Sequence, residues 1–99
     1  MRIDVVGRDV EITEAIRTHA EAKSQKLLRH FDRTQLITIT AGKADHHGSF
    51  GVEVVVDVEH HDPFVAHAAG PDHYGVIEGA IAKSTRQLTD FKEKTKIHR

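Results

Sequence analysis

The sequence contains no cysteine and no tryptophan, and it has only two prolines among 99 residues. The absence of cysteine excludes a disulfide scaffold, a thiolate nucleophile and a cysteine-ligated zinc site, and it fits a reducing compartment. The first apolar segment, residues 1–8, is short and interrupted by charges, so we expect neither a signal peptide nor a membrane span. We therefore expect a cytoplasmic protein with a single domain over residues 1–99, since this length fits one hydrophobic core.

Charge is unevenly distributed along a chain whose formal net charge is −1. Residues 13–42 carry five basic and three acidic side chains, residues 43–72 carry one and six, and residues 83–99 carry six and two. Such polarity orients a molecule in the field of a charged partner. Near-neutrality of the whole chain therefore does not exclude nucleic acid as that partner.

Apolar periodicity divides the chain into six elements. Alternating apolar residues predict strands, and apolar residues at helical spacing predict helices, the first with Thr13 as its N-cap. The predicted strands cover residues 2–8, 35–42, 50–59 and 64–69, and the helices about 14–31 and 72–96. The third strand is the clearest, because its apolar residues all point one way: Phe50, Val52, Val54, Val56 and Val58.

The element order β-α-β-β-β-α predicts an α+β fold, a two-layer sandwich. Two amphipathic helices should pack on one face of a four-stranded mixed sheet. The first two strands should lie parallel, joined by a right-handed helical crossover. This arrangement is similar to the double-stranded-RNA-binding domain, which has an α-β-β-β-α core.

Basic side chains form a stripe on the predicted solvent side of each helix, at 100° per residue. The stripes consist of Lys26, Arg29 and Arg33 on the first helix and of Lys83, Arg86 and Lys94 on the second. Asp90 interrupts the second stripe, and Lys23 lies nearer the apolar side, from which its amine can extend outward. The acidic Glu53, Asp57 and Glu59 are expected on the opposite, open face of the sheet.

The two stripes favour an RNA-binding surface, because each phosphate that a cation neutralises releases condensed counterions. Charged helix faces are also ordinary solvated surface in many proteins, so the charge pattern alone leaves that interpretation open. Base stacking on the sheet, as in RRM domains, would need outward aromatic residues on the third strand. The outward residues there are Gly51, Glu53, Val55, Asp57 and Glu59. Recognition of structured RNA by the helix faces remains.

Three groups of residues carry a resemblance to a known family. They are Ile3–Gly7 with Val10–Arg17, Lys23 with Arg29–Arg33, and Asp72–Tyr74 with Ile77, Lys83, Arg86–Leu88 and Lys92–Lys94. In order, spacing and total length the chain resembles the short form of the ribosome hibernation-promoting factors, the family that also includes ribosome-associated inhibitor A.

The resemblance implies a stress factor that binds the small subunit of 30S and 70S ribosomes between its head and body. It would contact 16S rRNA through its helices and block the channel used by tRNA and mRNA, with other hibernation factors as further partners. No cofactor, small-molecule substrate or membrane is expected. Charge pattern and resemblance together give nine candidate RNA-binding residues: Lys23, Lys26, Arg29, His30, Arg33, Lys83, Arg86, Lys92 and Lys94.

Histidine is abundant, with nine in the chain, and protonation in mild acid would favour RNA binding. The pairs His46–His47 and His60–His61 lie in turns at opposite ends of the third strand. About ten residues at roughly 3.3 Å each separate the pairs, too far for one metal ion. His60, His61 and Asp62 alone would bind zinc weakly, and histidines on a turn surface are the simpler interpretation.

No motif predicts catalysis, so we expect no enzymatic activity. Ser49 and Ser84 lack a nucleophile-elbow setting, and there is no P-loop or dinucleotide-binding glycine pattern. Asp72 is expected to favour the second helix's N-terminus, and Tyr74 to anchor that helix. Two alternatives stay open. One is a protein-interaction module, or a divergent paralogue, that does not bind ribosomes and uses the acidic sheet face or a strand edge. The other is a histidine-metal hydrolase.

Overall fold

A computed structural model describes residues 2–31, 33–43 and 49–97 and contains six elements. They are β1 (Arg2–Arg8), α1 (Glu14–His30), β2 (Thr34–Lys43), β3 (Phe50–Val58), β4 (Phe64–Gly70) and α2 (His73–Ile97). The predicted order and type of all six are confirmed. The predicted pair His46–His47 lies outside the described residues.

The four strands form one mixed sheet in the order β1-β2-β3-β4. As predicted, β1 pairs with β2 in parallel, with Val5 opposite Ile39. Strand β3 pairs antiparallel with both of its neighbours, so β1 and β4 are the edge strands. Helix α1 packs over β1 and β2, and α2 packs over β3 and β4, which places both helices on the same face of the sheet.

The core lies between the sheet and the helical layer. Strand β3 alternates regularly, and all five of its predicted inward residues are buried. The helices contribute apolar residues at the predicted spacing, of which Ile16, Leu27, Ile77 and Leu88 are buried. Burying such side chains stabilises the fold by about 2 kcal/mol each, so the apolar face of each helix holds it on the sheet.

Helix α1 begins and ends for identifiable reasons. The Thr13 hydroxyl oxygen accepts a hydrogen bond from the N–H of Ile16 at 3.1 Å, which confirms the predicted N-cap. The helix ends at His30, one residue earlier than predicted, because Phe31 takes an extended conformation with φ −143°. Phe31 is nevertheless buried, and its N–H still donates to the Leu27 carbonyl.

Other boundaries differ by one or two residues. Strand β2 is one residue longer at each end, and β4 extends to Gly70. Strand β3 ends at Val58, so Glu59 belongs to the following turn and not, as predicted, to the sheet face. Within the described residues, no helix is both long enough and apolar enough to cross a membrane.

Candidate nucleic-acid interface

A groove runs along the outer surface of the molecule between α1 and α2. It consists of two cavities, of about 220 and 230 Å³, that share Thr85. Lys23 and Lys26 line one end of this interhelical groove, and Lys92 lines the other. Three of the nine predicted residues therefore meet in one concave, basic surface.

The prediction that the amine of Lys23 extends outward is not met. Lys23 pairs instead with an acid of the second helix, Glu78. Its Nζ lies 3.5 Å from Oε1 of Glu78, and its side chain is one-third exposed. Nε2 of His19 lies 3.5 Å from the other oxygen of Glu78, and the His19 ring meets the edge of Tyr74 at 4.8 Å between centroids. Glu78 therefore links the helices and neutralises part of the groove's charge.

The Nε2 atom of His19 is buried and has no hydrogen-bond partner within the part of the chain that the structure describes, since its approach to Glu78 lacks hydrogen-bond geometry. Tyr74 is 42% exposed, at the edge of the helix as expected. These contacts place His19 between Tyr74 and Glu78, where α1 meets α2.

The first predicted stripe is only partly correct. Lys26 and Arg29 are exposed on α1. Arg33 lies beyond the helix end, where its guanidinium carbon stands 5.7 Å from the centre of the Phe31 ring. That distance fits a cation–π contact. The backbone of His30 ends α1, and its side chain lies outside the described residues.

The second predicted stripe does not point directly away from the core. Lys83, Arg86 and Lys94 line cavities between α2 and the edge strand β4, which we call the β4–α2 groove. The Nζ of Lys83 donates to the His67 carbonyl at 2.8 Å. The second stripe therefore borders the β4–α2 groove, whereas Lys92, which is not part of that stripe, lines the interhelical groove.

The open face of the sheet is acidic at Glu53 and Asp57, which are half-buried on β3. Oε2 of Glu53 lies 3.0 Å from Nε2 of His67 on β4. Glu59, in the turn, lies 3.2 Å from its neighbour His60. The predicted acids are thus turned away from the two grooves, and two of them have histidine partners.

Comparison with known proteins identifies the family. Residues 3–96 match the family described as Sigma 54 modulation protein / S30EA ribosomal protein. This chain belongs to that family. Among curated S30EA-like relatives, the ribosome hibernation promoting factor of Escherichia coli K12 is 39% identical over 99 residues, covering 99% of this chain and 100% of that protein. The factor of Azotobacter vinelandii is 33% identical over 102 residues, covering 95% of this chain and 85% of the relative.

Solved structures agree with the S30EA assignment. The N-terminal domain of Protein Y from Thermus thermophilus has a TM-score of 0.78 and 27% identity, covering 92% of this chain and 99% of that one. A ribosomal subunit interface protein from Coxiella burnetii has a TM-score of 0.79, with coverage of 94% and 99%; at 24% identity it supports the fold alone.

Several side chains that line the two grooves of this S30EA family member escaped prediction. Glu78 was missed because its partner lies 55 residues away on another helix, and no sequence signal fixes that contact. An aromatic cluster of His61, Phe64 and Phe91 was missed as well. A signal existed for it: Phe91 lies on the apolar stripe of α2, and Phe64 opens β4.

The residues considered for metal binding or catalysis make contacts that stabilise the fold or pair with neighbouring side chains. His60 lies beside Glu59, whereas the His61 ring stacks on Phe64. No group of three potential metal ligands occurs within the described ranges. The Asp72 carbonyl accepts the N–H of Val76 at 2.9 Å, which closes the first turn of α2.

Proposed function

We propose that this protein is a ribosome hibernation factor. It binds the small subunit in 30S and 70S particles, contacts 16S rRNA through its helical side, and occupies the channel used by tRNA and mRNA. The whole chain acts as one ribosome-binding domain. Translation is silenced by exclusion, without a catalytic step, a cofactor or a small-molecule substrate.

The observation that carries this proposal is the placement of charge in a protein of this family. Cations line both grooves of the helical side, whereas the open sheet face carries the acids Glu53 and Asp57 as well as the arginines of β1. A phosphate backbone is therefore attracted more strongly to the first surface than to the second. The domain would therefore bind RNA in one orientation, with its helices toward the phosphates.

The proposed RNA contacts are the nine predicted residues. Lys23, Lys26 and Lys92 act in the interhelical groove. Arg29, His30 and Arg33 belong to the end of α1 and the segment after it. Lys83, Arg86 and Lys94 act in the β4–α2 groove. A body of 48 × 23 × 19 Å held at these points is large enough to exclude other ligands from a channel it occupies.

Charge reversal tests the proposal. Lys26→Glu combined with Arg29→Glu should abolish inhibition of a cell-free translation reaction, because four units of charge change on the helical side. The matched control is Arg2→Glu combined with Arg8→Glu, since these arginines lie at the two ends of β1 and alternate with its inward residues. Equal inhibition by both double variants would contradict the proposed orientation.

The alternative of a protein-interaction module is disfavoured at the β4 edge of the sheet by one feature of that strand. Its carbonyl groups at Val65 and His67 accept hydrogen bonds from Gln87 and Lys83 of α2. An added strand would have to displace both side chains. Recovery of one protein partner, without ribosomes, from RNase-treated extract would favour the alternative.

A further inference from the structure

Three aromatic rings cluster where the β3–β4 turn meets α2. The ring of His61 lies nearly parallel to that of Phe64, with 4.4 Å between centroids and 4° between planes. Phe91 contacts both rings, at 4.6 Å from His61 and 5.4 Å from Phe64. The phenylalanines are half-buried but His61 is exposed, so a flat ring is held on an apolar base at the surface.

The His61 ring is fixed from its own turn as well. The backbone N–H of His61 donates to the Val58 carbonyl at 3.2 Å, and His60 adopts the left-handed conformation, with φ 61°, that closes this turn. Nδ1 of His61 donates to the Asp62 carbonyl at 2.6 Å. A ring fixed in this way loses little conformational entropy when a ligand covers its outer face.

Charged side chains lie on both sides of the aromatic cluster along α2. The rings line a cavity of about 570 Å³ together with Asp90 and Lys94. An adjoining cavity of about 420 Å³ shares Val65 and Gln87 with it and is lined by Lys83 and Arg86. The β4–α2 groove therefore has an aromatic end at Phe91 and a cationic end at Lys83 and Arg86, which lie roughly 8 to 12 Å apart along α2 at 1.5 Å per helical residue.

We propose that the β4–α2 groove holds a single-stranded RNA segment, with one unpaired nucleobase stacked on His61 and phosphates at Lys83 and Arg86. Aromatic rings beside cations are the combination that binds unpaired nucleotides irrespective of sequence. Asp90 offsets the charge of Lys94 in the aromatic cavity, so this end attracts phosphate less than the cationic end and suits a base better than the backbone. The proposal rests on the RNA binding proposed above and adds a specific contact to it.

The test uses a six-nucleotide single-stranded RNA containing one 2-aminopurine, whose fluorescence falls when it stacks. The variant His61→Asn should lose about tenfold in affinity and most of the quenching. His60→Asn is the matched control, because it makes the same change at the adjacent exposed histidine, and asparagine tolerates its positive φ. His61→Phe keeps a flat ring without a charge and should bind like the wild type.

Equal affinity and quenching for the His61→Asn and His60→Asn variants would overturn the stacking site, as would a wild-type protein that binds no oligonucleotide. The same variants, tested for 30S binding, separate this inference from the proposed function. If the wild type binds 30S and His61→Asn binds it equally well, the stacking site alone fails. If the wild type ignores ribosomes but binds the oligonucleotide through His61, the ribosome proposal alone fails.

Discussion

The ammonium of Lys83 on α2 donates a hydrogen bond of 2.8 Å to the His67 carbonyl on β4. Since β4 is an edge strand, this carbonyl would otherwise face solvent or an incoming strand. Lys83 therefore closes the sheet edge while it stands in the β4–α2 groove. The two roles are compatible, because an ammonium has three donors and the carbonyl takes one.

The variant Lys83→Met separates these roles. Because the hydrogen bond is exposed, its loss should lower the free energy of unfolding by less than about 1 kcal/mol. Loss of one phosphate contact should make the slope of log 30S affinity against log salt concentration shallower by about one unit. Urea unfolding and binding at several salt concentrations measure the two effects. Arg2→Met makes the same change in charge on β1, away from the cavities that Lys83 lines, and should leave the slope unchanged. Equal slopes for all three proteins would contradict the role of Lys83.

The variant Glu78→Gln should strengthen RNA binding. It removes the acid that lies 3.5 Å from Lys23 and so increases the positive charge of the interhelical groove. We expect a gain on the order of fivefold in 30S affinity at low salt, with a stability change below about 1 kcal/mol. Glu21→Gln removes the same charge from the opposite flank of α1 and should have no such effect. A weaker or unchanged affinity for Glu78→Gln would show that Glu78 does not limit the groove.

Ser84→Ala should stabilise the fold. The Ser84 side chain is fully buried, and its hydroxyl has no hydrogen-bond partner among the described residues, so its desolvation is uncompensated. Removing it should raise the free energy of unfolding by about 1 kcal/mol beyond the gain in helix propensity. Thr89→Ala, at an exposed position of the same helix, measures the propensity gain. The explanation fails if Ser84→Ala gains no more than Thr89→Ala in urea unfolding.

Two glycines should respond to alanine in opposite directions. A Cβ at Gly7 would stand 2.4 Å from the Val10 carbonyl oxygen and 2.9 Å from Ile12, so backbone would have to move. We expect Gly7→Ala to destabilise the protein by about 1–3 kcal/mol. A Cβ at Gly79 in α2 meets Ala68 at 3.8 Å, an ordinary contact, and Gly79→Ala should stabilise by up to about 1 kcal/mol. Thermal unfolding measures both, and the same sign for both would contradict this packing.

The sequence predicted those features that depend on neighbours along the chain. The Thr13 cap and the alternation in β3 follow from local spacing, and the topology follows from the element order. Arg33 was misplaced because the helical wheel continued past Phe31, whose burial depends on tertiary packing. The pairing of Lys23 with Glu78 and the stacking of His61 on Phe64 depend on how the helices and the turn meet, and periodicity within one element does not contain that information.

We propose that the helical side of this domain binds the small ribosomal subunit. Sedimentation of the protein with purified 30S, 50S and 70S particles at low salt is the decisive measurement. We expect the protein to migrate with 30S and 70S particles, not with 50S, and the Lys26→Glu, Arg29→Glu double variant to stay at the top of the gradient. The small subunit is not the target if the wild-type protein stays at the top with every particle or migrates with 50S alone.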